Sequence, residues 1–368
     1  MGKITSLQFW SVYFVFIFAT TIAFLIGSLG QNAQYDGWIV ILSGAVTGTG
    51  LVSLFIAFAR KRPGDYLGEY GREIIGKYPH LLIMLLFSLF NLHLSAYIIR
   101  EFLDFFSQTY LRDTPQWAIC LLFTFALFCL IQSGCSNLFR FAQGCFIFVG
   151  LLFLVKPLFF LESLDIEMLK AFITPHEAGI IWDETYLITP WYGEMIIIIF
   201  ILPELEKPMK SIKMLWLASA AGTYILLSEY MIMIGFFGPE LSGVLTYPAL
   251  ELARFISLGD FLQNLDPFIV SVWILALFVK LSVIFYTGVL TFSQAFAIGN
   301  YKLVSLPLTA AVVGLSMVMA HNPSELTAFF DQSWAAFAWI VECSPAVYVI
   351  VDYVKSRHAK RAAPVPGS

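Results

Sequence analysis

The stretch "TPWYGEM" (residues 189–195) runs directly into "IIIIFILP" (196–203). The second segment is what a membrane helix needs, yet the first places Pro190, Gly193 and Glu194 within five positions. Pro190 has no amide hydrogen and its ring crowds the preceding turn, while Gly193 lowers the cost of non-helical angles, so the pattern predicts an interrupted helix. An interruption frees carbonyls at the end of the first half and amides at the start of the second. In lipid such backbone persists only where it lines a cavity or is buried in protein. The freed amides suit a carboxylate, either a ligand's or that of Glu194 acting as a cap. A proline kink with a purely structural role fits the same seven residues.

The composition supports this setting. Of 368 residues, 59% are hydrophobic and 12% charged, with a mean hydropathy of +0.81. That is too little polar surface to coat a soluble globule, and it identifies an integral membrane protein. Blocks such as "HLLIMLLFSLFNLHLSAYII" (80–99) do not alternate in the way a barrel strand does, so the fold class is all-α. Apolar windows predict ten spans, at 7–29, 38–59, 81–103, 116–132, 138–160, 180–205, 214–237, 267–297, 303–320 and 334–354. The layout is tested by charge. Fifteen of the twenty-one Lys and Arg residues fall on one side of it, with both termini, and the positive-inside rule makes that side cytoplasmic. Residues 1–355 read as one transmembrane domain, and 356–368 as a cytoplasmic tail expected to be disordered. The first span is too long for a signal-peptide core and is expected to be retained. Two outer segments, 162–179 and 238–266, exceed what a connector needs; Leu250, Ala253, Phe255 and Ile256 against Glu251 and Arg254 predict a helix along the interface.

A charge at the bilayer centre costs at least about 2.5 to 3.5 kcal/mol, so Glu194, Glu229 and Lys280 must face protein or water. Lys280, Thr287, Thr291 and Gln294 share one face of the eighth span and form a polar stripe. The stripe is either a hydrogen-bonded seam or a binding face. Ser88, Asn91 and Ser95 make a similar stripe on the third span, for which helix packing is the simpler reading. Glu229 is either a lone proton-titratable group or the partner of Lys280. Neither His93 nor the five cysteines, which lack a C-x-x-C pair, have metal-ligand spacing, so no metal and no cofactor is expected. No nucleophile or phosphate-loop constellation appears, so catalysis is not expected, and nothing points to nucleic acid.

The block 247–286, "YPALELARFISLGDFLQNLDPFIVSVWILALFVKLSVIFY", resembles the signature region of the B subunits of bacterial spore nutrient germinant receptors. "ITSLQ" (4–8), "YDGW" (35–38) and "YGEMIIIIFILP" (192–203) agree with it. The family is similar to the amino acid-polyamine-organocation transporters. The resemblance therefore implies a LeuT-like fold of two inverted five-helix repeats, about 4–160 and 180–355, with the first and sixth helices broken at mid-membrane. The break in the first would fall near residues 18–22, where relatives often have glycines and this chain has none. Transferred onto this chain, the ligand site comprises Ala19, Thr20, Thr21, Asn91, Ser95, Tyr192, Gly193, Glu194 and Lys280. Glu194, Glu229 and Lys280 are the coupling or proton candidates, and Lys280 stands where sodium-coupled relatives bind a cation.

The resemblance implies a sensor that binds a small germinant such as an amino acid, in the spore inner membrane. Its partners would be a membrane A subunit and a C-subunit lipoprotein. A proton-coupled amino acid transporter is the alternative, because fold does not fix function, and a scaffold with no ligand is a third reading.

Overall fold

Long apolar runs have one stable solution in hydrocarbon, the helix that pairs its own backbone, and the computed structural model of the chain is built from helices. It describes residues 2–20, 25–156, 170–173, 176–255, 266–320, 322–329 and 333–362. The first span holds α1 (Ser6–Thr20) and α2 (Ile26–Asn32), with residues 21–24 between them outside the described residues. There follow α3 (Gly37–Ala59), a short amphipathic α4 (Leu67–Ile75), α5 (Lys77–Thr109), α6 (Gln116–Ser133) and α7 (Cys135–Val155). The second half holds α8 (Ala178–Gly193), a 3-10 turn (Glu194–Ile197) and α9 (Ile198–Ile201), which together make the sixth span, then α10 (Ser211–Val244) and α11 (Pro248–Arg254). It ends with α12 (Asp266–Ala295), α13 (Lys302–Val318), α14 (Pro323–Phe329), α15 (Ala335–Cys343) and α16 (Ala346–Ala362).

Among the described residues, eight helical stretches are long and apolar enough to cross a membrane, and Ser6–Ala19 and Lys302–Val318 are shorter apolar helices at the expected first and ninth spans. Most of segment 162–179 and residues 256–265 of 238–266 lie outside the described residues. In the described part of the latter, Leu250 and Ala253 of α11 are buried against the bundle while Arg254 and Phe255 are exposed, so α11 covers the bundle with one apolar face; Ile256 lies outside the described residues.

The packing follows the expected pseudo-symmetry. Helix α1 packs on α10, α7 and α12, while α8 packs on α3 and α15. Exchanging the first span with the sixth, second with seventh, third with eighth and fifth with tenth turns α1–α10 into α8–α3. The same exchange turns α1–α7 into α8–α15 and α7–α12 into α15–α5, and it leaves α5–α12, an extensive contact, as it was. Both members of each of these exchanged pairs are present, whereas α1–α12 has no comparably extensive α8–α5 counterpart.

The α3–α8 contact is close because Gly44 and Gly48 face it. A Cβ on Gly48 would stand 2.6 Å from the Thr189 carbonyl oxygen and from Tyr192 Cβ. With the backbones this near, hydroxyls reach across: Ser43 to Thr185 at 2.6 Å and Thr47 to Thr189 at 2.8 Å. Each such bond in a membrane protein contributes on average about 0.6 kcal/mol, so the fit of small residues does more than the hydroxyls to fix α8 in place.

Candidate functional site

At Pro190 the helix loses an amide, and the carbonyl four residues earlier, Tyr186, loses its intrahelical donor. Trp339 on α15 supplies the replacement, its Nε1 donating to the Tyr186 oxygen at 3.0 Å. With that carbonyl satisfied from outside, α8 continues through Pro190 to Gly193. The winding then tightens to a 3-10 turn, with Gly193 at φ −68°, ψ −30° and Glu194 at φ −48°, ψ −28°. The interruption thus lies at the predicted residues, but it is a change of helical pitch rather than an unwound stretch. The Glu194 amide donates to the Pro190 carbonyl, and the Glu194 side chain caps no amide.

Its carboxylate turns instead to the eighth span. Lys280 Nζ lies 2.7 Å from Glu194 Oε2, and both side chains are buried. The ammonium also stands over two rings, 4.8 Å from the centroid of Phe16 on α1 and 5.1 Å from that of Trp191 on α8. One charged group therefore joins α1, α8 and α12, where desolvated cation–π contacts add about 2 kcal/mol or more each.

A third ionisable residue, which sequence reasoning missed, completes the cluster. Glu342 on α15 is fully buried, and its carboxylate occupies the space that a Cβ on Gly193 would need. Neither of its oxygens has a hydrogen-bond partner among the described residues. The signal was present: in "WAAFAWIVEC" (334–343) Glu342 is a lone carboxylate inside a span, the criterion that singled out Glu194 and Glu229.

The other nominated residues divide. Tyr192 is buried beside the cluster; its hydroxyl pairs with Thr223 at 3.0 Å and its carbonyl accepts from Tyr13 at 3.2 Å. The Ala19 carbonyl, near the end of α1, accepts from Trp273 Nε1 at 3.3 Å. Thr20 is the last residue of α1, and Thr21 lies outside the described residues. Asn91 and Ser95 belong to the α5–α12 seam. Asn91 Nδ2 donates to the Phe87 carbonyl at 2.7 Å and Ser95 Oγ to the Asn91 carbonyl at 2.7 Å, while Gly288 packs against Asn91 Cβ. The stripe on α12 is likewise mixed. Thr287 and Thr291 bond their own helix at 2.9 and 2.8 Å, and only Lys280 crosses to α8. Glu229 is neither lone nor the partner of Lys280: it is paired with buried Lys156 at the end of α7. His93 packs between Phe329 and Phe337. Among the described residues no three His, Cys, Asp or Glu side chains are grouped to hold a metal.

The two ends of the bundle differ. On one side of the cluster, Phe105 packs edge-on against Tyr247 (5.0 Å) and Trp273 (4.8 Å), next to the buried Arg100–Asp104 pair. On the other, a cavity of about 760 Å³ is lined by Tyr66, Arg72, His80, Glu204, Gln294 and Tyr301, among others. It reaches Tyr286, six residues along α12 from Lys280, or about 9 Å of helix rise. This is the end that carries the N-terminus, where Ile4 pairs with the backbone of Glu204 and Glu206 at 2.8 Å.

Comparison with known proteins agrees with this architecture. The chain is similar to the nucleobase-cation-symport-1 family transporter Mhp1 in a closed conformation with bromovinylhydantoin bound, with a TM-score of 0.69, 11% identity, and coverage of 95% of this chain and 78% of that one. It is also similar to a Na⁺-coupled sialic acid symporter in a substrate-bound outward-open state (TM-score 0.64, 14% identity, 92% and 77% covered). The fold is LeuT-like. In sequence it is 27% identical to spore germination protein YndE of Bacillus subtilis (strain 168) over 308 residues, covering 80% of this chain and 82% of the relative. It is 24% identical to spore germination protein KB of the same organism over 326 residues (84% and 85%), and 24% identical to spore germination protein XB of Bacillus anthracis over 288 (76% and 79%). The model of the Spore_permease family, described as spore germination protein, matches residues 3–324, and the chain belongs to that family.

Proposed function

We propose that this chain is the B subunit of a nutrient germinant receptor, and that a small zwitterionic nutrient such as an amino acid binds at the junction of α1, α8 and α12. The observation that carries the reading is the Lys280–Glu194 pair at the 3-10 turn. It is an internal ammonium–carboxylate couple of the kind a zwitterion can exchange with, the ligand's carboxylate meeting Lys280 and its ammonium meeting Glu194. Ala19, Thr20, Thr21, Tyr192 and Gly193 would line this site, with Asn91 and Ser95 supporting it from the α5–α12 seam. Binding favours one arrangement of the bundle over another, and a tenfold preference corresponds to about 1.4 kcal/mol. An A subunit in the membrane and a C-subunit lipoprotein would read that shift in the spore inner membrane, both termini of this chain facing the core. Residues 1–355 act as one transmembrane domain of two repeats, and no enzymatic step is assigned to it.

The cavity of about 760 Å³ below Tyr286 favours a second reading, a proton-coupled amino acid transporter, because a carrier needs a path to one side. Uptake in proteoliposomes separates the two. Binding of a nutrient from an amino acid panel without flux supports the sensor, and saturable accumulation driven by a pH gradient supports the transporter. A panel in which spores carrying Lys280→Met germinate as the wild type does, at equal protein level, overturns the assigned site.

A further inference from the structure

The central cluster contains two carboxylates, Glu194 and Glu342, and the ammonium of Lys280. Lys280 is engaged by Glu194 and by the rings of Phe16 and Trp191. Glu342 is fully buried, has no hydrogen-bond partner on either oxygen among the described residues, and sits against the Gly193 backbone next to Glu194. The groups facing it are known from each neighbouring element. Helix α8 and its turn bring Tyr192 and Glu194, and α1 brings Tyr13, whose hydroxyl is committed to the Tyr192 carbonyl. From α12 comes Lys280; from α5, His93 lies against Phe337, more than a turn back along α15. Cys343 is the adjacent residue on α15 itself. None of these is a cation left over for Glu342.

An ionised carboxylate buried without a partner is not sustained in a membrane interior, so a cation must neutralise it. The carboxylate fills the space above Gly193, and a proton is the cation that needs no volume of its own. We propose that Glu342 is the proton-binding residue of the central site: it takes a proton from bulk water, which brings the Glu342–Glu194–Lys280 cluster to neutrality, and gives it back when α15 moves away from Gly193. Proton release leaves two carboxylates competing for Lys280. The Lys280–Glu194 pair, and with it the contact between α1, α8 and α12, is therefore linked to pH. The consequence for ligand response rests on the sensor reading, whereas the proton site does not.

Infrared spectroscopy of the purified full chain in lipid nanodiscs tests this at neutral pH. A buried protonated carboxyl gives a C=O stretch that shifts in deuterated water, and Glu342→Gln is expected to remove one such band. Glu101, whose Oε1 is also buried without a partner, is controlled by Glu101→Gln. A band unchanged by Glu342→Gln overturns the proposal. So does the absence of any such band in the wild type, a measurement that does not depend on the variant folding. Wild-type thermal stability that depends on Na⁺, with the dependence lost in Glu342→Gln, overturns it in favour of a metal cation. None of these readouts uses a nutrient, so their failure leaves the sensor reading standing, and a failed nutrient panel leaves the proton site standing.

Discussion

Trp339 Nε1 donates to the carbonyl of Tyr186, the one acceptor that Pro190 deprives of its helical partner, and the two rings stack with centroids 6.0 Å apart. The tenth span thereby supplies what the sixth lacks. Trp339→Phe keeps an aromatic surface and removes the donor, and a carbonyl left unpaired in this position costs about 1 to 3 kcal/mol. Pro190→Ala restores the amide, so the double variant is expected to recover part of that loss. Thermal unfolding of the four proteins in one detergent checks it, and strict additivity would show that the bond contributes nothing.

Lys280→Met leaves the Glu194 carboxylate buried without its cation, and Glu194→Gln leaves the ammonium without its anion. Breaking one side of a buried pair costs about 3 to 5 kcal/mol, whereas replacing both with apolar groups of similar volume is often near neutral. Each single variant is therefore expected to lower protein level and melting temperature, and Lys280→Met with Glu194→Leu to regain much of both. Recovery of folding without recovery of germination would separate the stabilising role of the pair from its ligand role.

Gly193→Ala places a methyl in the Glu342 carboxylate, overlapping Oε2 unless that side chain shifts. Overpacking of this kind costs about 1 to 3 kcal/mol. Adding Glu342→Ala opens the space and is expected to return the melting temperature toward that of Glu342→Ala alone. A Gly193→Ala protein as stable as the wild type would mean that the Glu342 side chain turns aside without cost.

Lys156 and Glu229 form a second buried pair between α7 and α10, apart from the α1, α8 and α12 junction. Replacing both with Leu is expected to leave nutrient preference unchanged, while Lys156→Leu alone destabilises by about 3 to 5 kcal/mol. A shift in the germinant panel with the double variant would move the site toward α10.

The one-dimensional features were legible in the sequence. Apolar length located eight spanning helices and two shorter apolar ones, Pro190 and Gly193 located the change in the sixth helix, and a mid-span ammonium marked Lys280. Pairings were not legible, because which carboxylate meets which ammonium depends on the rotation and height of helices that no local pattern fixes. Glu229 and Lys156 are 73 residues apart and meet, whereas Glu229 and Lys280 do not. The proline was read as a source of unsatisfied backbone because its repair, Trp339, is 153 residues away from the carbonyl it serves. Asn91 and Ser95 were offered as ligand groups by transfer, and their bonds to their own helix fit the packing reading that the residues themselves supported.

The backbone bonds that hold Ile4 to Glu204 and Glu206 tie the start of the first span to the end of the sixth. Neither helix can swing at that end without dragging the other, and the chain's opening residues act as the coupling rod between them. An affinity tag fused to the N-terminus loads that rod directly. A tag placed after α16 leaves it free, and comparing the two fusions measures how much of the bundle's motion passes through a single strand of backbone.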